Sequence, residues 1–269
     1  MVSFPPCKIN LGLNVIRKRQ DGYHDIETCF YPVPWTDILE IIPSSQLQFF
    51  STGNAIEGAV DGNLCLRAYQ VLKSEYNIPP VSIHLHKIIP IGAGLGGGSS
   101  DGAYTLRTLN SMFNLQLSIT ELRRLALNLG SDCAFFIDEK PMLGKGRGEE
   151  LTPLDFVLRN KFLVLVKPDV SVSTAQAYAG VLPLEPVVPI SEILTRPIEA
   201  WKGVLENDFE VSVFNAYPQI KELKNKMISL GATYTAMSGS GSAMYGIFEK
   251  PVHLPKEFTS LQHWSGTLD

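Results

Sequence analysis

Pro90-Ile91-Gly92-Ala93-Gly94-Leu95-Gly96-Gly97-Gly98-Ser99-Ser100 sets five glycines in seven positions between an apolar alternating segment and an amphipathic one. The chemistry open to such a segment is anion capture. Glycine admits backbone conformations in which successive N–H groups converge into a nest, and the unpaired amides of a helix start add about half a positive charge. Ser99 and Ser100 can cap the helix and offer hydroxyls to a phosphate or its Mg2+. A flexible hairpin or packing turn needs only one or two glycines, so this loop reads as a phosphate binder.

Several familiar phosphate loops are excluded by what is missing. The Walker pattern needs Lys after its last glycine, and here Ser99 follows Gly98. Gly92-x-Gly94-x-x-Gly97 satisfies the dinucleotide fingerprint, but no strand-ending acid follows about 20 residues on. The His-Arg-Asp and Asp-Phe-Gly sets of protein kinases are absent.

Other residues can be read in two ways. Asp132, in Gly130-Ser131-Asp132 ahead of the apolar run Cys133 to Ile137, is a carboxylate at the edge of a core, and on that segment alone a turn former. Lys8 is a candidate partner or a solvated strand residue. His84 and His86 share a strand face without a third ligand and read as solvent-facing. Ser238 to Ser242 is a hairpin turn or a loop facing ligand. Arg147, in a glycine-rich turn, can contact phosphate or decorate the surface.

The elements that must position these groups follow from periodicity. Lys8 to Val15 alternates apolar and polar residues, which predicts a half-buried strand with Lys8 and Asn10 on the face opposite the core. Asp21-Gly22 marks a turn, and Tyr23 to Pro34 a returning strand, with further strands near 38–42, 47–51 and 81–89. One helix is predicted after Asn63, stopping before Pro79-Pro80, and another after the glycine loop. Ser118-x-x-Glu121 is a capping box for a helix whose apolar face is Leu122, Leu125, Ala126 and Leu129. The Gly-, Pro- and charge-rich stretch 138–161 reads as a crossover to a second domain. Beyond it lie a strand at 162–166, short helices around 173–179 and 197–205, and a longer helix at 218–230. A strand pair at 233–237 and 243–248 closes the pattern, and the mixture of hairpins and helices favours α+β.

Composition bounds the partners. The 269 residues carry 23 basic and 27 acidic side chains, the net charge divides equally between 1–150 and 151–269, and the longest basic run is Arg17-Lys18-Arg19. No clustered positive footprint for nucleic acid is present. The four cysteines form no Cys-x-x-Cys pair and read as buried free thiols. Without a signal-peptide pattern or a long apolar run, a cytoplasmic protein with no membrane partner is expected.

Taken together, Pro-x-x-x-Gly-Leu-Gly-x-x-Ser-Ser, the early Lys8-x-Asn10, Gly130-Ser131-Asp132 and the late Ser-Gly-Ser-Gly resemble the GHMP kinase superfamily, named for galactokinase, homoserine kinase, mevalonate kinase and phosphomevalonate kinase. Within it, Pro6-Cys7-Lys8-Ile9-Asn10-Leu11 and Asp21-Gly22-Tyr23-His24 are most similar to the branch acting on 4-diphosphocytidyl-2-C-methyl-D-erythritol in the non-mevalonate route to isoprenoids. The similarity runs from Lys8 to about Phe248. It implies an N-terminal ribosomal-protein-S5-domain-2-like domain over 1–150 and a C-terminal α+β domain over 151–269, with ATP and substrate in a cleft between them. It further implies ATP with Mg2+ as cofactors, cytidine diphosphate methylerythritol as the small-molecule substrate, and phosphorylation of its 2-hydroxyl. Asp132 matches the catalytic base and Lys8 its paired lysine. Pro90 to Ser100 match the nucleotide loop, while Asn10, Tyr23, His24, Tyr178 and Gly239 match substrate-side positions, with His24 on the cytosine edge and Tyr178 stacked on the base. The chain departs from the family at Asp101-Gly102-Ala103, where Asn-Ala-Ala is frequent, and at Ala134, where Pro is frequent; the metal ligands stay unassigned. A mevalonate- or homoserine-type kinase of the superfamily, a catalytically silent nucleotide-binding regulator and a dinucleotide oxidoreductase are the alternatives.

Overall fold

The computed structural model describes residues 1–56 and 58–268. Strands β1 (Val2–Ser3), β2 (Pro6–Lys18), β3 (His24–Thr36), β4 (Ile38–Pro43) and β5 (Gln48–Gly53) lead into helix α1 (Leu64–Tyr76) and β6 (Val81–Lys87). After the glycine loop come α2 (Gly97–Met112), α3 (Ile119–Leu127), α4 (Phe135–Asp138), β7 (Met142–Lys145) and β8 (Glu150–Pro153). The remainder runs β9 (Phe162–Lys167), α5 (Thr174–Ala179), α6 (Ile190–Ile193), α7 (Phe209–Ala216), α8 (Pro218–Ser229), β10 (Tyr234–Met237), β11 (Met244–Phe248), α9 (Lys256–Thr259) and β12 (Gln262–Thr267).

Two compact units emerge, each built from several segments of the chain. One comprises 1–8, 32–91 and 96–140; the other comprises 9–31, 92–95 and 141–269. The first contains the sheet β1-β4-β6-β5, in which β5 and β6 are parallel and joined through α1. The second contains the antiparallel sheet β10-β11-β9-β12. A third sheet has the order β2-β3-β7-β8. This mixture of hairpins, one parallel crossover and helices is the expected α+β class.

Local chemistry explains most boundaries. The Asn63 side chain accepts the Cys65 amide to open α1, and Asn77 in the left-handed conformation ends it before Pro79-Pro80. The predicted capping box at α3 is present, with Ser118 and Glu121 exchanging hydrogen bonds, and Ser173 with Gln176 builds a second at α5.

Four readings need correction. Strand β2 is buried on both faces, with Lys8 and Asn10 at 3% and 1% exposure, because other elements cover the face that alternation assigned to solvent. The stretch 138–161 contains the hairpin β7–β8, its turn carrying Gly146 and Gly148 at positive φ. Residues 198–200 form only a short 3-10 turn. Ser99 and Ser100 do not cap α2: Gly96 is its cap, and the serines lie inside the first turn, since Gly97 and Gly98 already adopt the helix.

Beside α2 in the first unit lies a buried ion cluster. Lys87, the last residue of β6, pairs with Asp37 and places Nζ 2.6 Å from Asp101 Oδ2. Burial, reinforced by the negative charge of Asp37 and opposed by Lys87, pushes the Asp101 carboxyl up to about 7. Lys87 is raised as well, its two carboxylates outweighing the burial that would lower it. A carboxyl whose folded value exceeds its unfolded value of about 3.9 binds its proton more tightly when folded, so this group makes stability fall as pH rises between about 4 and about 7. Asp101→Asn removes that dependence. Its thermal midpoint relative to the parent protein should therefore rise from pH ~5 to pH ~8 in scanning calorimetry, and a constant difference would refute the coupling.

Candidate active site

In the first unit, Lys8, Asp132 and the helix end of the glycine loop come together. Lys8 Nζ lies 3.8 Å from Asp132 Oδ2, the lysine side chain almost fully buried and the carboxylate 36% exposed. Burial lowers the Lys8 pKa, and the Asp132 charge pulls it back up. The stem of Lys8 passes beneath Gly96: a Cβ built there would sit 3.2 Å from Lys8 Cγ and 3.0 Å from Phe136 Cζ. Gly96 also has φ +70, so the position is closed to side chains both by space and by conformation. Asp132 is thus no mere turn former, and Lys8 is no solvated strand residue. The neighbouring Cys133 thiol is buried and pushed up to about 12 by burial, with Ser99 bonded to it. Like Cys7, Cys29 and Cys65, it is a buried free thiol, as expected.

In the second unit, the late Ser-Gly loop packs on the middle of the glycine loop. Ser238 Oγ donates to the Gly94 carbonyl at 2.9 Å, and the Ala243 amide donates to the Ala93 carbonyl at 3.1 Å. A Cβ on Gly94 would run into the Ser238 carbonyl oxygen. Residues 238–242 are therefore more than a hairpin turn. A Cβ on Gly239 would stand 3.4 Å from Asn10 Oδ1, which places Asn10 beside this loop. Asn10 Nδ2 donates to Thr28 Oγ1 at 2.9 Å, and Tyr245 Oη donates to the Asn10 carbonyl at 2.8 Å.

The first and last glycines of the loop face open space. A Cβ on Gly92 or Gly98 would meet nothing within 4 Å, and Gly92, Gly94 and Gly96 alternate at positive φ ahead of α2. Amides in that pattern, followed by the free N–H groups of a 16-residue helix, suit a polyphosphate. Ser99 is half-buried at this start, while Ser100 Oγ is buried with no partner among the described residues. Asp101 does not add its charge to the phosphates, because Lys87 holds the carboxylate inside the core.

The substrate-side aromatics also assemble in the second unit. His24 and Tyr178 stack, with ring centroids 4.6 Å apart and planes at 17°, and Tyr178 meets Phe209 edge-on at 4.7 Å. Burial, helped by Lys18, lowers the His24 pKa, which favours the neutral imidazole. Tyr23 is exposed, and the Arg147 guanidinium lies 4.7 Å over its ring, so Arg147 contacts an aromatic. His84 and His86 both bond Thr52 Oγ1 on an outer sheet face, and among the described residues no cluster of three metal-ligating side chains exists.

Sequence reasoning missed the residues that hold these loops. Asn207 donates both amide hydrogens, to the Met237 and Gly239 carbonyls at 2.8 Å each, and accepts the Phe209 amide. It lies between Glu206 and Asp208, which bond to Leu13 and Val15 of β2, and nothing in that short polar stretch signals such a role. Lys87 did leave a signal: it falls in the phase of Val81, Ile83 and Leu85, the buried face of β6.

Comparison with known proteins agrees with this geometry. Residues 63–139 match the profile for the GHMP kinases N terminal domain, and residues 190–263 that for the GHMP kinases C terminal domain. The chain is 51% identical to the 4-diphosphocytidyl-2-C-methyl-D-erythritol kinase of Cytophaga hutchinsonii, over 97% of this chain and 98% of that one. It is 46% identical to the enzyme of the same name from Parabacteroides distasonis, over the full length of both. A crystal structure of 4-(cytidine 5'-diphospho)-2C-methyl-D-erythritol kinase superposes with a TM-score of 0.83 at 33% identity, covering 100% of this chain and 99% of the other. A homoserine kinase from C. hutchinsonii shares the fold, with a TM-score of 0.68 at 14% identity over 98% and 95% of the two chains. The chain belongs to the GHMP kinase family.

Proposed function

We propose that this protein transfers the terminal phosphoryl group of ATP to the 2-hydroxyl of 4-diphosphocytidyl-2-C-methyl-D-erythritol, a step of isoprenoid precursor synthesis. The observation that carries this reading is the Lys8–Asp132 pair packed under Gly96 of the glycine loop, in a chain collinear with kinases of that name.

Asp132, the more exposed of the pair, accepts the hydroxyl proton. Lys8 sits behind it as a buried cation, keeps the carboxylate oriented and stabilises negative charge on the attacking oxygen. Phosphoryl transfer has a loose transition state, so positioning and charge stabilisation supply most of the rate. The amides of Gly92 to Gly98 hold the phosphates from their open side. Mg2+ fits as a companion of those phosphates, with the Ser99 hydroxyl at the helix start to reach it, and it would neutralise phosphate charge there. Asp101 is excluded as its ligand by the bond to Lys87.

Neutral His24 offers one donor and one acceptor, which complements the amide-like edge of cytosine. Tyr178 and Tyr23 supply aromatic faces for the base, and the neighbouring Asn10 and Gly239 are further substrate contacts in this reading. Among the described residues no helix is long and apolar enough to cross a membrane, consistent with a small-molecule enzyme.

Two outcomes test the assignment. Asp132→Asn should cut kcat at least about 100-fold while ATP affinity stays near that of the parent, in a coupled ADP-release assay and a separate nucleotide titration. An unchanged kcat would remove Asp132 as the base. Tyr178→Ala should raise the KM for the cytidine substrate roughly 5- to 150-fold, the value of one base–aromatic stack, with the KM for ATP unaltered. Equal effects on both substrates would argue against a base platform.

A further inference from the structure

The Asp37–Lys87–Asp101 cluster touches both ends of the glycine loop. At the entry, Asp37 Oδ1 accepts the amides of Ile88 and Ile89 at 2.6 and 2.8 Å, fixing the two residues just before Pro90. At the exit, Asp101 belongs to α2, whose first residue is Gly97, and Lys87 bonds its carboxylate at 2.6 Å. Lys87 also lies directly against the helix start, since a Cβ on Gly97 would sit 2.9 Å from its Nζ. Asp37 and Lys87 are fully or nearly fully buried, as is Asp101, and the buried Cys65 thiol of α1 feels the charges of all three.

We propose that Lys87 is a positioning residue for the phosphate loop, tying the strand that enters the loop to the helix that leaves it and so fixing the spacing of the amides that grip ATP. The inference rests on the reading of Pro90 to Ser100 as the nucleotide loop. A buried lysine shared by two carboxylates is a costly way to fill a core, because desolvating three charges offsets much of their attraction. Its directional bonds achieve what apolar packing cannot: they hold two backbone segments in one register across an intervening run of glycines that has little conformational preference of its own.

The test uses Lys87→Met and the double variant Lys87→Met/Asp101→Asn. The single substitution strands two buried carboxylates and can fail to fold. The double variant keeps the net charge of the cluster with Asp101 ionised while removing the tether. A non-hydrolysable ATP analogue is titrated calorimetrically, KM is measured for both substrates, and amide exchange is followed at residues 91–98 and in the sheet β10-β11-β9-β12. The expected result for the folded double variant is at least about tenfold weaker analogue binding and a matching rise in the KM for ATP, with the KM for the cytidine substrate unchanged. Exchange should accelerate in the loop and not in that sheet. Parent-like analogue affinity in the folded double variant, whatever its thermal midpoint, would overturn the proposal and leave Lys87 a structural residue. Failure of the parent protein itself to bind the analogue would instead overturn the nucleotide-loop reading, and the proposal with it.

Discussion

Between Gly94 and Gly97 the backbone passes closer to its neighbours than any side chain would allow, and much of the site's geometry depends on that closeness. The Ser238 carbonyl stands against Gly94, the Lys8 stem and Phe136 against Gly96, and Ile89 with Lys87 against Gly97. A methyl group at Gly94 would have to displace backbone, which cannot swing aside as a flexible side chain can. At Gly96 the added carbon would press on Lys8 Cγ and Phe136 Cζ, so both side chains would have to give way. The glycines therefore do two things at once. Gly96 admits the Lys8 stem in the first unit and Gly94 the late Ser-Gly loop in the second, while Gly92 and Gly98 face open space.

That arrangement explains how a chain with net charge −4 can handle polyanionic ligands. Attraction by a basic surface would be long-ranged and weakened by salt. Dipoles fixed by the fold act only at short range, and they grip a phosphate without adding formal charge. The two lysines beside the helix end of the glycine loop are buried and matched by carboxylates. Lys8 is matched by Asp132, and Lys87 is outnumbered by Asp37 and Asp101, so neither contributes a free positive field. Their value lies in direction and distance.

What the sequence revealed follows the range of the interactions involved. Caps at Asn63 and Ser118 and the helix after the glycine run depend on residues within a few positions, and the pattern exposed them. The burial of β2 on both faces depends on Gly96, Phe136 and Thr28, which reach it from elsewhere in the chain, so alternation alone assigned Lys8 and Asn10 to solvent. The pairing of Lys8 with Asp132 was legible only through resemblance, because neither segment says where the other lies. Asp37 and Asn207 were illegible for a further reason: each is a polar residue in a connection between elements, where polar residues are ordinary, and only the hydrogen-bond partners distinguish them. Lys87 was legible in principle. A lysine in the buried phase of a strand leading into a glycine loop must find compensating charge, and Asp101, in α2 just beyond that loop, is the first acid after it in sequence.

The unequal exposure of Lys8 and Asp132 divides their labour. A lysine almost fully buried loses hydration, and the facing carboxylate helps keep its charged form competitive, so separating the pair is costly. Asp132, open over a third of its surface, keeps an accessible oxygen with which to meet a hydroxyl. Had the burial been reversed, the carboxylate would be walled off and the cation would wave in solvent, its attraction screened. The glycine at position 96 sets this polarity. By admitting the Lys8 stem beneath the loop it buries the cation from behind, and that leaves the carboxylate as the member of the pair that a substrate can reach.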